Sequence, residues 1–174
     1  EPTILDVLIA AHIDMFGEEF TDYAPLKASG SSGITSAFGE TTSALSYRLN
    51  GATDNGSGVW YNLDTEVKSG DYVDTMFYQD TSGYTDKYVS LGGRDIKSTT
   101  GDVTLTATYE GFDANWATVI LPAQGLNISV DGVSVGTTDE NGQITLKLSQ
   151  CKTYVVTASG EISGSKIFEP YTRV

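Results

Sequence analysis

The chain has one cysteine and one histidine among 174 residues. A disulfide framework needs at least two cysteines. Zinc sites draw three or four ligands, mostly Cys and His, so one of each cannot build one. Basic residues are scarce too. Lys plus Arg is 10 against 23 Asp plus Glu, a formal net charge of 10 − 23 = −13. Phosphate contacts dominate nucleic-acid affinity, so a nucleic-acid partner is excluded on charge. No apolar run reaches the roughly 18 residues that a spanning helix needs, so no direct membrane insertion is expected. Nucleophilic catalysis is short of parts. His12 is the sole imidazole base, no G-x-S-x-G elbow is present, and Cys151 lies in the opposite half of the chain. Acid pairs such as Asp71 and Asp74 could in principle support glycosidic acid–base work. Among 23 acids such pairs are inevitable. The expectation is a protein that is not an enzyme and carries no cofactor.

Glycine, serine, threonine and tyrosine are abundant, with 19 Gly and 10 Tyr. That composition favours short strands joined by tight turns. An acidic, hydroxyl-rich surface also favours an exported protein. Glu1-Pro2-Thr3 runs straight into an apolar segment with no leader ahead of it, so the chain reads as a mature or trimmed piece.

One helix is expected, over Ile4 to Phe16. Ile4, Leu5, Val7, Leu8, Ile9, Ile13, Met15 and Phe16 make it apolar nearly all round, and such a helix must pack on a sheet. Thr3 and Asp6 have capping-box spacing, and Gly17 is a natural C-terminal stop. A polar stretch, Glu18 to Gly33, follows. Strand patterns then cover 34–38, 43–49, 59–63, 72–79 and 87–91, separated by turn signals such as Asn50-Gly51 and Asn55-Gly56. Composition shifts near Gly92-Gly93. Residues 1–92 carry 14 acids and 4 bases, 4 − 14 = −10, and residues 93–174 carry 9 and 6, 6 − 9 = −3. Two domains are expected, 1–92 and 93–174.

The second half reads as seven short strands: 103–109, 117–121, 126–130, 133–136, 143–148, 153–159 and 166–171. Asp131-Gly132 and Asn141-Gly142 have the composition of two-residue hairpin turns. Alternation in Ile144-Thr145-Leu146-Lys147-Leu148 gives one buried and one wet face. This pattern reads as a β-sandwich. Cys151 is expected as a small core or strand-edge residue.

Two resemblances follow. Gly136-Thr137-Thr138-Asp139-Glu140-Asn141-Gly142, with Lys152-Thr153-Tyr154-Val155-Val156-Thr157-Ala158 after it, resembles bacterial immunoglobulin-like and prealbumin-like surface modules over about 101–174. There the Asp and Asn bend the chain rather than act on a substrate. In the first half, Thr3 to His12, Ser46 to Gly51, Gly58 to Leu63 and Val67 to Val73 occur in the order seen in the transcobalamin C-terminal-like family. That resemblance implies an α+β, β-grasp-like domain with one helix on a small sheet. In bacteria the family occurs mostly in anchored, multi-module surface proteins, and its vertebrate namesakes cap a corrinoid. Two departures stand out. The aromatic pair is adjacent, Trp60-Tyr61, which sends one ring to the opposite face. No strand precedes the helix.

The fold class expected is therefore mainly β, an α+β β-grasp-like domain followed by an immunoglobulin-like β-sandwich. Candidate binding residues are the aromatics Tyr47, Trp60, Tyr61 and Tyr78 with the polar Asn50, Asn62 and Asp64. Aromatic faces stack on sugars and side chains while Asn and Asp fix polar edges; the same aromatics also suit plain sheet packing. Asp54-Asn55-Gly56-Ser57-Gly58 and Asp139-Glu140-Asn141-Gly142 read as Asx turns, since neither is followed by the bidentate Glu of a calcium loop. His12 reads as a structural helix-face residue. The expected role is a non-enzymatic pair of extracellular, cell-surface or cell-wall modules. The first domain would bind a glycan, peptide or protein and the second would act as a spacer, monomeric within a larger chain. A corrinoid-like carrier and a purely structural stalk are the alternatives.

Overall fold

The computed structural model describes residues 1–17, 22–23, 34–41, 45–99, 101–115 and 117–174. Most of the polar stretch from Glu18 to Gly33, and Ser43 and Ala44 of one expected strand, lie outside the described residues. The fold is mainly β, with one helix and several sheets among the described residues. The chain divides into two compact units, Glu1–Tyr84 and Thr85–Val174. The division falls ahead of the compositional break at residue 92. The reason is pairing: the strand at Lys87–Ser90 hydrogen-bonds with strands of the second unit. Moving the boundary transfers Asp86 and Lys87 together. The units therefore carry 3 − 13 = −10 and 7 − 10 = −3, and the acidity still belongs to the first.

In the first unit, helix α1 spans Ile4–Phe16. Its start leaves no donor idle. Thr3 Oγ1 accepts from Asp6 N–H, and the Asp6 carboxylate accepts from Thr3 N–H, which completes the expected capping box. The Ile4 and Leu5 N–H groups donate to the carbonyls of Thr65 and Leu63, at 2.9 and 3.0 Å. These are the orphan donors that every helix start must satisfy. Gly17, at φ 78°, ends the helix in the left-handed conformation, its N–H donating to Ile13. Burial is confined to one stripe, Ile4, Leu8 and His12. Ile13, Met15 and Phe16 stay exposed, so the all-round apolar pattern does not give all-round burial.

Among the described residues, five short strands accompany α1: β1 (Asp22–Tyr23), β2 (Ile34–Ala37), β3 (Glu40–Thr41), β4 (Leu45–Leu49) and β5 (Val73–Phe77). β1, β2 and β3 form one antiparallel sheet; β4 and β5 form another, with Tyr47 opposite Thr75. The core joins Ile4 and Leu8 to Leu45, Leu49, Leu63 and Val67. The expected strand at 59–63 is not one. Its Leu63 carbonyl serves the helix start, and Tyr61 N–H bonds to Thr53 instead of a strand ladder.

Among the described residues, the regular elements of the second unit are strands: β6 (Lys87–Ser90), β7 (Asp102–Thr106), β8 (Thr108–Phe112), β9 (Thr118–Pro122), β10 (Asn127–Val130), β11 (Val133–Thr137), β12 (Gln143–Lys147), β13 (Val155–Ser159), β14 (Glu161–Ile162), β15 (Ser165–Phe168) and β16 (Tyr171–Arg173). They make a four-stranded sheet β11-β10-β13-β16, a five-stranded sheet β14-β15-β6-β8-β9 and the pair β12-β7. One core serves all three. It takes Ile128, Val156 and Ala158 from the first sheet, Val89, Ile162 and Ile167 from the second, and Val103, Leu105 and Leu146 from the pair. The expected strand 103–109 is split at Ala107, where the chain changes partners from β12 to β6 and β9. Such transfers at bends are how strands turn the corners of a sandwich.

The two expected hairpin turns differ. Asp131 and Gly132, at φ 48° and 80°, make a two-residue turn between β10 and β11. Asn141-Gly142 does not. Gly142 N–H donates to Asp139 O, and Asp139 N–H donates to Gln143 O, which closes a three-residue turn ending in a glycine bulge. The strands on either side then join different sheets.

Candidate functional site

The candidate residues of the first unit fall into three places. Tyr47 and Tyr61 pack against the core, and Tyr47 Oη donates to the Tyr61 carbonyl across 3.5 Å. Burial, and after it the nearby Asp64 carboxylate, raises the Tyr47 phenol above its ordinary range. Asn62 and Asp64 belong to the turn beside them. Asn62 Oδ1 accepts from Asp64 N–H at 2.9 Å, and Thr65 Oγ1 accepts from Asn62 N–H at 2.9 Å. That turn aims the Leu63 and Thr65 carbonyls at the start of α1. These four residues are brought together, and the turn makes α1 and the aromatic pair one rigid corner.

Asn50 sits at the end of β4, with φ 53° in a two-residue turn with Gly51. Its side chain is engaged at both ends. Nδ2 donates to Asp71 at 2.8 Å, and Oδ1 accepts from Tyr72 N–H at 3.1 Å. The Asn50 amide, followed by Lys68 N–H, holds the Asp71 carboxyl below the usual carboxylate range. Tyr78 follows β5, past the Leu45–Phe77 pair. At about 3.3 Å per strand residue, it lies roughly 20 Å along the ribbon from Asn50. It stacks edge-on against Tyr84, with centroids 5.3 Å apart. Asn50 and Tyr78 therefore do not share a site.

Trp60 stands apart from its neighbour Tyr61. Tyr61 turns to the core, while Trp60 is 56% exposed and Val59 beside it 62%. Adjacency in an extended segment puts the two rings on opposite faces. The loop below them is an Asx-turn scaffold, as expected. Asp54 Oδ1 accepts from Gly56 N–H and Asn55 Oδ1 from Ser57 N–H, at 2.7 and 3.0 Å.

His12 is buried, with Phe16 stacked on it at 4.7 Å and Phe38 edge-on at 5.4 Å between centroids. The Asp139 carboxylate accepts from Asn141 and Gln143 N–H, so this motif residue shapes a turn. Among the described residues, no three His, Cys, Asp or Glu side chains converge as a metal site. No helix among them is long and apolar enough to cross a membrane.

The sequence pattern missed a groove in the second unit. It holds about 570 Å³ and is lined by Ser98, Thr99, Leu148, Gln150, Cys151 and Tyr154, among others. A second lobe of about 380 Å³, with Val130, Val135 and Thr145, shares Leu148 and Tyr154. Cys151 is exposed in the loop after β12, not in the core or on a strand edge as expected. Beside it Lys152 pairs with Asp131 at 2.8 Å and lies over the Tyr154 ring at 4.7 Å. The Lys152 ammonium, then Val155 N–H, lowers the Asp131 carboxyl; Asp131 in turn raises Lys152. The polar Ser149-Gln150-Cys151-Lys152 break between strands was the available signal for this groove. Comparisons with family models, with curated proteins and with solved structures returned no match for this chain.

Proposed function

We propose that this chain is a non-catalytic pair of extracellular, cell-surface modules. The first unit binds a macromolecular partner and the second is a β-sandwich spacer. The observation that carries the binding role is the exposed Val59–Trp60 pair on a hydrogen-bonded loop. Tryptophan is enriched among the residues that dominate interfaces, and a rigid loop lowers the cost of ordering it on binding. Support for the surface setting comes from the acidic, hydroxyl-rich composition. The first unit's motifs add to it through their resemblance to the transcobalamin C-terminal-like family.

The internal hydrogen bonds of Asn50 and Asn62 favour a second reading, a structural stalk, for that part of the expected site. Those side chains serve the fold, which leaves Trp60 as the binding candidate. Binding of the intact protein to glycan and peptide arrays, set beside Trp60→Ala, separates the two. Hits lost in the variant support the binding role. Arrays without a Trp60-dependent hit leave the stalk.

A further inference from the structure

Strand β12 has an open edge. At the two ends of its pairing with β7, Ala107 N–H donates to Gly142 at 2.7 Å and Leu148 N–H donates to Gly101 at 2.6 Å. Between them Ile144 stands opposite Leu105, and Leu146 opposite Val103. In an antiparallel ladder every second residue turns its N–H and C=O to the neighbour, and the next turns them away. Residues 142, 144, 146 and 148 therefore face β7. Thr145 and Lys147 turn their N–H and C=O groups to the other side, where they have no hydrogen-bond partner among the described residues.

Strand β11 lies on that open side. A Cβ on Gly136 would come within 3.3 Å of Ile144 Cδ1, so the two strands touch near the turn that joins them. Farther along they part, and the lobe of about 380 Å³ lies between them. Leu146 and Leu148 line it from one side, Val135 from the other, with Val130 and Tyr154. The outer edge of β11 is broken. Val135 has no partner residue on β10, and such a bulge interrupts edge pairing. The regular open edge is that of β12.

The lobe offers apolar side chains and no net charge. Lys147 is its one charged lining residue among those described, and it stands opposite Asp102 across the ladder. A charged side chain entering there would lose water without gaining a partner. A second copy would bring a charge of −13 against −13, which opposes self-association.

We propose that the open edge of β12 docks an extended, uncharged segment of another polypeptide. The segment's main chain pairs with Thr145 and Lys147, and its alternate side chains, apolar and small, enter the lobe beside Val135. Main-chain bonds then supply affinity and the lobe supplies specificity. This docking role belongs to the second unit and does not rest on the binding role of the first.

The test titrates the intact chain by calorimetry with a capped peptide that alternates Ser and Val over seven residues. Two further peptides carry methyl groups on the Val or on the Ser backbone nitrogens, which blocks one edge of the segment or the other. The proteins are wild type, Val135→Ser and Thr145→Pro, with thermal melts to show that each is folded. The expected result is wild-type binding that falls roughly tenfold or more with at least one methylated peptide. Val135→Ser, on the wall of the lobe, should weaken binding about fivefold, and Thr145→Pro, which removes an outward N–H, by a similar factor. If the proline variant does not fold, Val135→Ser decides. No wild-type binding at about 1 mM peptide overturns the proposal. So does equal binding of all three peptides, or binding that ignores Val135. A wild-type dimer that the peptide dissociates in sedimentation also overturns it, because the occupant is then a second copy.

Discussion

The Ala107 N–H donates to the carbonyl of Gly142 at 2.7 Å, and this bond marks the point where a continuous strand leaves one sheet for another. The Ala107 carbonyl in turn accepts from Ala123 N–H at 2.9 Å. One residue between β7 and β8 is thus held by two distant segments. Gly142 can come this close because it has no side chain. A Cβ there falls on the Ala107 carbonyl oxygen and lies 3.0 Å from Ala123 N.

Gly142 and Gly132 separate backbone strain from steric conflict. Both have positive φ, 72° and 80°. A Cβ on Gly132 meets nothing within 4 Å. Gly132→Ala should therefore cost only the left-handed penalty, about 1–2 kcal/mol. Gly142→Ala adds displacement of packed backbone and should cost about 3 kcal/mol or more. Urea denaturation of the two variants checks this; equal losses would remove the steric argument.

Thr138 does comparable work through its hydroxyl. It is buried, accepts from Leu126 N–H at 3.0 Å and donates to the Ala123 carbonyl at 2.6 Å. Thr138→Val keeps the shape but strands a buried donor and a buried acceptor. The expected loss is about 2–4 kcal/mol, and Thr138→Ser should recover most of it. Denaturation midpoints of the two variants decide the point, and a stable valine variant would refute it.

The pH dependence has two limbs. Asp6, Asp71, Asp113 and Asp131 have lowered carboxyl values, each held first by a hydrogen bond, from Thr3, Asn50, Ala117 and Lys152 respectively. Their contribution is complete above the ordinary carboxylate value of about 4. It is lost as pH falls below that, through the lowered folded values. Tyr47 and Lys152 are raised, by burial and by the Asp131 hydrogen bond. Their contribution is complete below about pH 10 and is lost as pH rises through the raised values. Melting temperature should therefore fall as pH drops below about 4 and again as it rises above about 10. Tyr47→Phe should shrink the alkaline loss, and Asp131→Asn should shrink both limbs, since it also removes the partner of Lys152. An unchanged alkaline limb in Tyr47→Phe would contradict this assignment.

What the sequence made legible was local. Thr3 and Asp6 are three residues apart, and Asp131-Gly132 needs nothing beyond its own dihedral preferences, so both were readable. The Asp139 turn was readable as an Asx turn for the same reason. The pattern at 59–63 misled because its Leu63 carbonyl answers to the helix start and its other backbone groups bond within nearby loops. The split at Ala107 depends on Gly142 and Ala123, and the placement of Lys87–Ser90 depends on parallel pairing with Ser165–Phe168. Those partners are distant in sequence and leave no periodic trace. Of the candidate site, residue type said nothing of placement, and only strand register shows that Asn50 and Tyr78 lie at opposite ends of a ribbon.

Trp60 and Tyr61 give the sharpest contrast between adjacent residues. Tyr61 is partly buried against Ile4, Leu8 and their neighbours, while Trp60 is more than half exposed. Tyr61→Ala removes core contact and should cost about 2–3 kcal/mol. Trp60→Ala truncates a ring that is 56% exposed, and it should cost clearly less than Tyr61→Ala. Denaturation at neutral pH measures both. A Trp60→Ala variant as unstable as Tyr61→Ala would mean that the indole holds the fold together, and the loop could not then be read as a surface kept for a partner.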